Sequence, residues 1–439
     1  MTDASTSETM SLGLLKVAER AKREPGAKFH SLAHLIDLAM LRRAYERIRK
    51  DAAVGVDGMT KETYGQGLEA HLADLYERLR TKRYRHQAIR RVHIPKEHGK
   101  TRPIGISTME DKIVQDSIRE VLQAVYEPVF HENSFGFRPG RRAHDALTVI
   151  DRAAIRGHAN WILEADIVSF FDTIDRRQLM EMIAERVPDG AMQRLVGKCL
   201  NVGILDGEQY SSSDEGTAQG SILSPLLGNI YLHHVLDLWF ENEVRSRLRG
   251  HAVLVRYADD FLIGFEHESD ATRVMEVLHK RLERYGLTLH PDKTRLLDFR
   301  RPSKDQTNGK GPGSFDFLGF TIHWRRSLKG TWSVAFRTRR ARLGRAIRLV
   351  YDWCRSHRHL PIKEQHVALV RRIDGHMNYF GVTGNTRSLS LLIFYAKRAW
   401  FKWLGRRSQR GRMTWERFAA IERRFPLPRP TVRVRLWAS

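Results

Sequence analysis

Residues 252–265 read AVLVRYADDFLIGF, an apolar run interrupted by Arg256 and by the pair Asp259-Asp260. Two short β-rich runs around an acidic tetrapeptide predict a hairpin with its carboxylates at the turn. A second run, NWILEADIVSFFDTID (160–175), reads as a strand running into a turn. Its apolar part ends in Asp166, 93 residues before Asp259. Carboxylates at buried strand ends are costly unless they are paired or bind a metal. Two strand-borne aspartates side by side make a hard oxygen site suited to Mg²⁺. Two ions held that way activate a 3′-hydroxyl and stabilise a leaving pyrophosphate. Read alone, an Asp-Asp turn is more often a solvated hairpin tip, and Arg256 beside it a partner in a surface ion pair.

The surrounding chain suits an antiparallel sheet backed by helices. Residues 12–50 look helical, broken at REPGAKF, and AVGVDGMT (53–60) is a Gly-rich turn. RRVHIPKEHGKTRPIGI (90–106) alternates around a polar tip, as a hairpin does. Val114, Ile118, Val121, Leu122 and Val125 keep helical spacing. Helices are expected over 176–200, from SPLL to Trp239 and over 270–285. GLTLHPDKTRLLDF reads as a strand pair, RRPSKDQTNGKGPGS (300–314) as a polar linker and FDFLGFTIHW as one more strand. The remainder reads as mostly helical, with Leu343, Ile347, Val350 and Cys354 on an apolar stripe and Arg340, Arg342, Arg345 and Arg348 largely off it.

The chain of 439 residues carries a formal charge of +24, unevenly placed. From Thr321 onward there are 28 Lys and Arg against 5 Asp and Glu; the first 320 residues hold 47 against 46. A cationic segment on a near-neutral body reads as a module for a polyanion, nucleic acid before a membrane surface. Trp400, Phe401, Trp403 and Trp415 interleave with its arginines, which suits base stacking but equally a core. Two cysteines exclude a disulfide framework or a four-cysteine zinc site. SILSPLLGNIYLHHVLDLWF is too broken by polar residues to span a bilayer, and MTDASTSETM is no secretory signal. A reducing, soluble, cytoplasmic protein is expected.

The ordered motifs resemble a bacterial reverse transcriptase of the group II intron type, from about Leu15 to Pro430. AVGVDGMT resembles the family's N-terminal extension motif and IPKEHGKTRPIGI its fingers hairpin. NSFGFRPGRRAHDAL, EADIVSFFDTID, GTAQGSILSPLLGNIYL, RYADDF, LTLHPDKTRLL and FDFLGF follow in family order. NYFGVTGN and WLGRRSQRGRMTWERF resemble the thumb/maturase segment. The resemblance implies an α+β right-hand polymerase whose fingers and palm carry the aspartates on an antiparallel sheet, followed by a basic helical thumb. The boundaries expected are 1–60 for the N-terminal extension, 61–325 for fingers and palm, 326–430 for thumb/maturase and 431–439 for a tail. Its implied activity is RNA-templated DNA synthesis, with intron RNA binding, splicing and retrohoming. Its partners would be an RNA template, a DNA primer or target and dNTPs. Its cofactor would be two Mg²⁺ ions, with Mn²⁺ as the alternative.

Carried over by position, Asp166 and Asp259 are the implied metal ligands, Asp260 a carboxylate of secondary role and the Ile167 carbonyl a further ligand. Lys96 and Arg102 match positions that grip the incoming triphosphate. Phe171 matches the ring that excludes a 2′-hydroxyl, with Phe170 the competing assignment. Gln219 matches the loop abutting nucleotide and template base, and Lys293 a lysine near the phosphates or primer end. Arg138, Arg141 and Arg142 contact template phosphates or salt-bridge within the fold. Arg406, Arg407, Arg410 and Arg412 are implied RNA contacts. The pattern departs from the family at Ala218, Ser221, Met377 and the ending TVRVRLWAS. The cysteine pairs of a C-terminal zinc nuclease are missing, so an endonuclease-lacking lineage is expected. Two other readings stay open: a maturase whose polymerase is dispensable, and a host-adopted enzyme using another structured RNA.

Overall fold

The computed structural model describes residues 11–95, 101–206, 209–211, 216, 220–303, 313–327, 330–407 and 413–436. Its centre is a four-stranded antiparallel sheet. In chain order the strands are β1 (Ile89–Pro95), β2 (Thr101–Ile106), β3 (Trp161–Ala165), β4 (Ile204–Asp206), β5 (Gln209–Ser211), β6 (Ala252–Tyr257), β7 (Asp260–Phe265), β8 (Arg295–Asp298), β9 (Phe315–Phe317), β10 (Phe320–Arg326) and β11 (Trp332–Thr338). The central sheet has the order β6-β7-β3-β8. The apolar runs are continuous because both faces are covered. Leu163, Leu254, Phe261, Ile263 and Phe265 enter the main core, whereas Ile162, Val255 and Leu262 enter a second one with Phe315, Phe320 and Phe336.

The main core is organised on the helix Met109–Tyr126, whose five spaced apolar residues are all fully buried. Thr108 caps it, accepting from the Asp111 backbone N–H at 3.2 Å. Helices Leu12–Arg23 and Leu38–Arg47, capped by Ser11 and Asp37, pack against it. Arg47 ties the second to Asp116 and Glu120. The β1–β2 hairpin pairs Ile94 with Arg102. Its sheet continues through a parallel β1–β4 contact to β5.

Three expectations need correcting. GLTLHPDKTRLLDF supplies only β8; its first half makes a single bridge, Leu289 with Ile167. Pro291 lacks the N–H that a ladder needs, and the chain turns there with Lys293 and Thr294 N–H on the His290 carbonyl. FDFLGFTIHW is two strands, broken where Leu318 and Gly319 take positive φ of 50° and 81°. TWSVAFRT, read among the helical remainder, is β11, which pairs with β10 along its length. The helical part therefore begins at Arg340 rather than 326.

Helices Arg340–Ser356, Ile362–Phe380, Thr386–Leu404 and Trp415–Arg424 share a separate core with Leu369, Ile373, Met377 and Trp400 at its centre. On the first of them Val350 and Cys354 are buried, Leu343 and Ile347 half-buried, and Arg340, Arg342, Arg345 and Arg348 exposed. Among the described residues no helix is long and apolar enough to cross a membrane.

Candidate active site

Strand register brings the three aspartates to one edge. β3 and β7 pair up to Ala165 opposite Phe261, so Asp166 leaves the sheet beside the end of β7. Tyr257 pairs with Asp260, leaving Ala258 and Asp259 as a two-residue turn. Ala258 takes φ of 58°, the left-handed region that two-residue hairpin turns use. Burial chiefly raises the Asp259 carboxyl above its usual range. The charge of Asp166 adds to this, while the backbone N–H of Asp259, Arg102 and Arg256 oppose it. Asp260 is pushed up to about 6 by burial, then by Asp259 and Asp166, against Lys293 and Arg342. It has ample solvent-accessible area, yet protein crowds it on the floor of the cleft.

Asp166 forms an ion pair with Lys293, whose side chain is otherwise exposed. Among the described residues no three His, Cys, Asp or Glu stand close enough to hold an ion as placed. The donor chemistry nevertheless fits a divalent cation. The charge of Asp166 raises the carboxyls of Asp259 and Asp260, Asp259 raises that of Asp260 further, and Lys293 on Asp166 supplies one compensating charge. The Ile167–Leu289 bridge uses the Asp166 carbonyl and Val168 N–H, so the Ile167 carbonyl takes no part in it.

Asp166 and Asp260 line a cleft of about 760 Å³. Sequence reasoning missed much of its wall: Tyr379 and Phe380 from the helical part, with Arg295, Asp316 and Arg339. Arg342 was visible only as an off-stripe charge. Arg339 pairs with Asp316 at 3.0 Å and the Tyr379 hydroxyl donates to the Leu318 carbonyl at 2.9 Å. Arg102, exposed on β2, opposes the upward shift that burial gives the carboxyls of both Asp259 and Asp172. The twin phenylalanines separate: Phe170 is 3% exposed in the main core, and Phe171 lies half-buried at its margin. Lys96 and Gln219, with Ala218, lie outside the described residues.

The reverse transcriptase (RNA-dependent DNA polymerase) family pattern matches residues 94–322. The protein YkfC of Escherichia coli (strain K12) is 32% identical over 358 residues, covering 73% of this chain and 90% of that one. The group II intron-encoded protein LtrA of Lactococcus lactis subsp. cremoris is 28% identical over 436 residues, 80% of this chain and 70% of that one.

This chain belongs to the reverse transcriptases of the group II intron type. It is an RNA-directed DNA polymerase, of a family whose chemistry uses divalent metal ions. A nuclear intron maturase of Arabidopsis thaliana is also similar, at 26% identity over 232 residues, 44% of this chain and 30% of that one.

Several charged residues of this reverse transcriptase sit otherwise than the sequence suggested. Arg256 is no surface ion-pair partner: it is fully buried and holds Asp237 through two hydrogen bonds of 2.8 and 2.6 Å. Arg138 follows the inward of its two readings. It is 7% exposed, pairs with Glu127 at 2.8 Å and donates to the carbonyls of His131 and Ser134. Its side chain is thus unsuited to the template contact held open for it. Arg141 and Arg142 are exposed, the first donating to the Glu132 carbonyl. Arg406 is exposed over the Trp403 ring at 5.5 Å, and Arg407 donates to the carbonyls of Arg358 and Leu360. Arg410 and Arg412 lie outside the described residues. Trp400 and Trp403 are core, the first donating to Gln365 at 2.9 Å. Trp415, 56% exposed, stacks on Phe401 at 3.9 Å and is the aromatic of that set most open to solvent.

Proposed function

We propose that the central sheet and its helices are the palm and fingers, and the helices from Arg340 onward the thumb, of an enzyme that copies group II intron RNA into DNA and assists that RNA in splicing and retrohoming. The observation that carries this reading is the register of the central sheet, which brings Asp166, Asp259 and Asp260 to one edge, with Asp166 and Asp260 lining a cleft that also holds Lys293, Arg295, Arg339 and Arg342. Asp166, Asp259 and the Ile167 carbonyl would hold two Mg²⁺ ions, with Asp260 secondary and Mn²⁺ a substitute. The bound ions supply charge stabilisation and an activated primer hydroxyl.

The protein's own groups bind and orient. Arg102 offers a planar, bidentate donor to the incoming triphosphate, and Lys96 is assigned beside it as a point charge. Phe171 stands at the sugar and excludes a 2′-hydroxyl, while Phe170 anchors it from the core. Gln219 abuts the templating pair. Lys293, on Asp166 in this structure, serves the phosphates or primer end. Arg141, Arg142, Arg406, Arg407, Arg410 and Arg412 hold RNA phosphates, giving affinity without reading sequence.

The test is primer extension on an RNA template with Mg²⁺ and dNTPs, beside Asp259→Ala. The variant should lose cDNA synthesis and retain RNA binding. Synthesis that survives the substitution would refute the metal assignment. A group II intron RNA bound no better than an unrelated structured RNA would refute the proposed partner.

A further inference from the structure

Arg256 stands three residues before Asp259 and is 0% exposed. A buried guanidinium is costly unless every donor finds a partner. Here Nε and Nη2 bind the two Asp237 oxygens, and Nη1 donates to Asn229 Oδ1 at 2.8 Å and to the Ala258 carbonyl at 3.1 Å. Asn229 Nδ2 in turn donates to the Gly136 carbonyl at 2.8 Å. Gly136 abuts the turn itself: a Cβ there would lie 2.2 Å from the Ala258 nitrogen. The backbone is held as well, with Arg256 N–H on the Asn133 carbonyl and Phe135 N–H on the Arg256 carbonyl.

Three stretches of chain thus meet on one peptide: 133–136, the helical segment bearing Asn229 and Asp237, and β6. The carbonyl that Arg256 grips belongs to Ala258, the residue bonded to Asp259. Ala258 is held in a left-handed conformation uncommon for a residue with a Cβ, the kind of strain that surroundings must over-determine. We infer that Arg256, paired with Asp237 and aligned by Asn229, is a positioning residue that fixes the Asp259 carboxylate for nucleotidyl transfer. The inference rests on the reading of Asp259 as a metal-binding carboxylate. A buried ion pair is often replaceable by apolar residues without loss of stability, so packing alone does not require these charges.

The double variant Arg256→Met/Asp237→Leu removes both charges and keeps volume. Asn229→Ser leaves the ion pair and loosens its alignment to Gly136. Each is measured for cooperative unfolding, RNA affinity, steady-state primer extension and direct Mn²⁺ binding by electron paramagnetic resonance, beside Asp259→Ala. The double variant should fold and bind RNA within twofold of wild type. Its kcat should fall about 10- to 100-fold, as for a displacement of up to ~1 Å, with KM for dNTP little changed and weaker Mn²⁺ binding. Asn229→Ser should lose about 3- to 10-fold in kcat, one weakened hydrogen bond being worth ~1 kcal/mol. If the double variant does not fold, Asn229→Ser alone decides. Wild-type kcat and Mn²⁺ affinity in the folded variants would overturn the inference. Full activity in Asp259→Ala would instead overturn the catalytic reading beneath it.

Discussion

Phe170 and Phe171 give the sharpest separation of a core role from a substrate role. The short helix Phe170–Thr173 starts from Ser169, whose φ of 47° turns the chain sharply after Val168. Phe170 thereby enters the main core at 3% exposure, and Phe171 is left at the core's margin. The rings meet edge to face at 5.1 Å. Gly228 gives both a seat: a Cβ there would stand 3.0 Å from Phe170 Cε1 and 3.1 Å from Phe171 Cε1. Truncating a fully buried ring costs about 3–5 kcal/mol, so Phe170→Ala should shift the urea midpoint strongly. Phe171→Ala uncovers only part of a ring and should cost about 1–2 kcal/mol at ~25 cal/mol per Å². The order reverses for sugar choice. Removing the ring that excludes a 2′-hydroxyl should lower the dNTP-to-rNTP ratio of kcat/KM by about 10- to 100-fold, the range of a pocket contact worth ~1–3 kcal/mol. Gly228→Ala presses on both rings without removing either and should change the ratio only a few-fold. Circular dichroism in urea and single-nucleotide extension with dNTP or rNTP give both quantities. Unchanged selectivity in Phe171→Ala, with relaxed selectivity in a folded Phe170→Ala, would refute the assignment.

Three further outcomes are expected. Gly136→Ala brings a Cβ against rigid backbone at 2.2 Å, about 1.2 Å inside ordinary contact, and should lower kcat by ~10²-fold while leaving RNA affinity unchanged; a fall under threefold would show that the turn yields freely. Burial lowers His376 to about 4, so the unfolded chain takes up its proton first as pH falls through about 6.5. That stabilising contribution, present above pH 6.5, should be lost by about pH 4, and the difference in unfolding free energy between wild type and His376→Leu should change by about 2–3 kcal/mol across the window; a flat difference would refute it. Trp400→Ala should cost about 3–5 kcal/mol of stability, whereas Trp415→Ala should change stability little and weaken RNA binding by ~1–3 kcal/mol; equal stability losses would show that exposure does not distinguish them.

The acidic residues were legible because an aspartate ending an apolar run contradicts its surroundings, and only a few chemistries resolve the contradiction. Arg256 breaks its run in the same way, but its partners lie 19 and 27 residues earlier, so the sequence offered only the adjacent aspartates as company. β11 was hidden by its neighbours: TWSVAFRT alternates as a strand should, yet it opens a stretch where arginines at helical spacing dominate. The cleft wall was hidden by distance, since Tyr379 reaches Leu318 across 61 positions. Charge counting had a related limit. It marks the segment that carries the excess charge, because a net charge sums over residues whatever the side chains do locally. It was blind to which arginines are committed. In GFRPGRR one guanidinium turns inward onto Glu127 while two stay exposed, and nothing in the spacing separates them. The division follows from Phe130 and Phe135: Arg138 stacks over the first and Arg141 over the second, so aromatic packing aims each cation. Substituting Phe130 by Leu should therefore loosen Arg138 from its inward position and leave Arg141 in place, an effect that no count of charges anticipates.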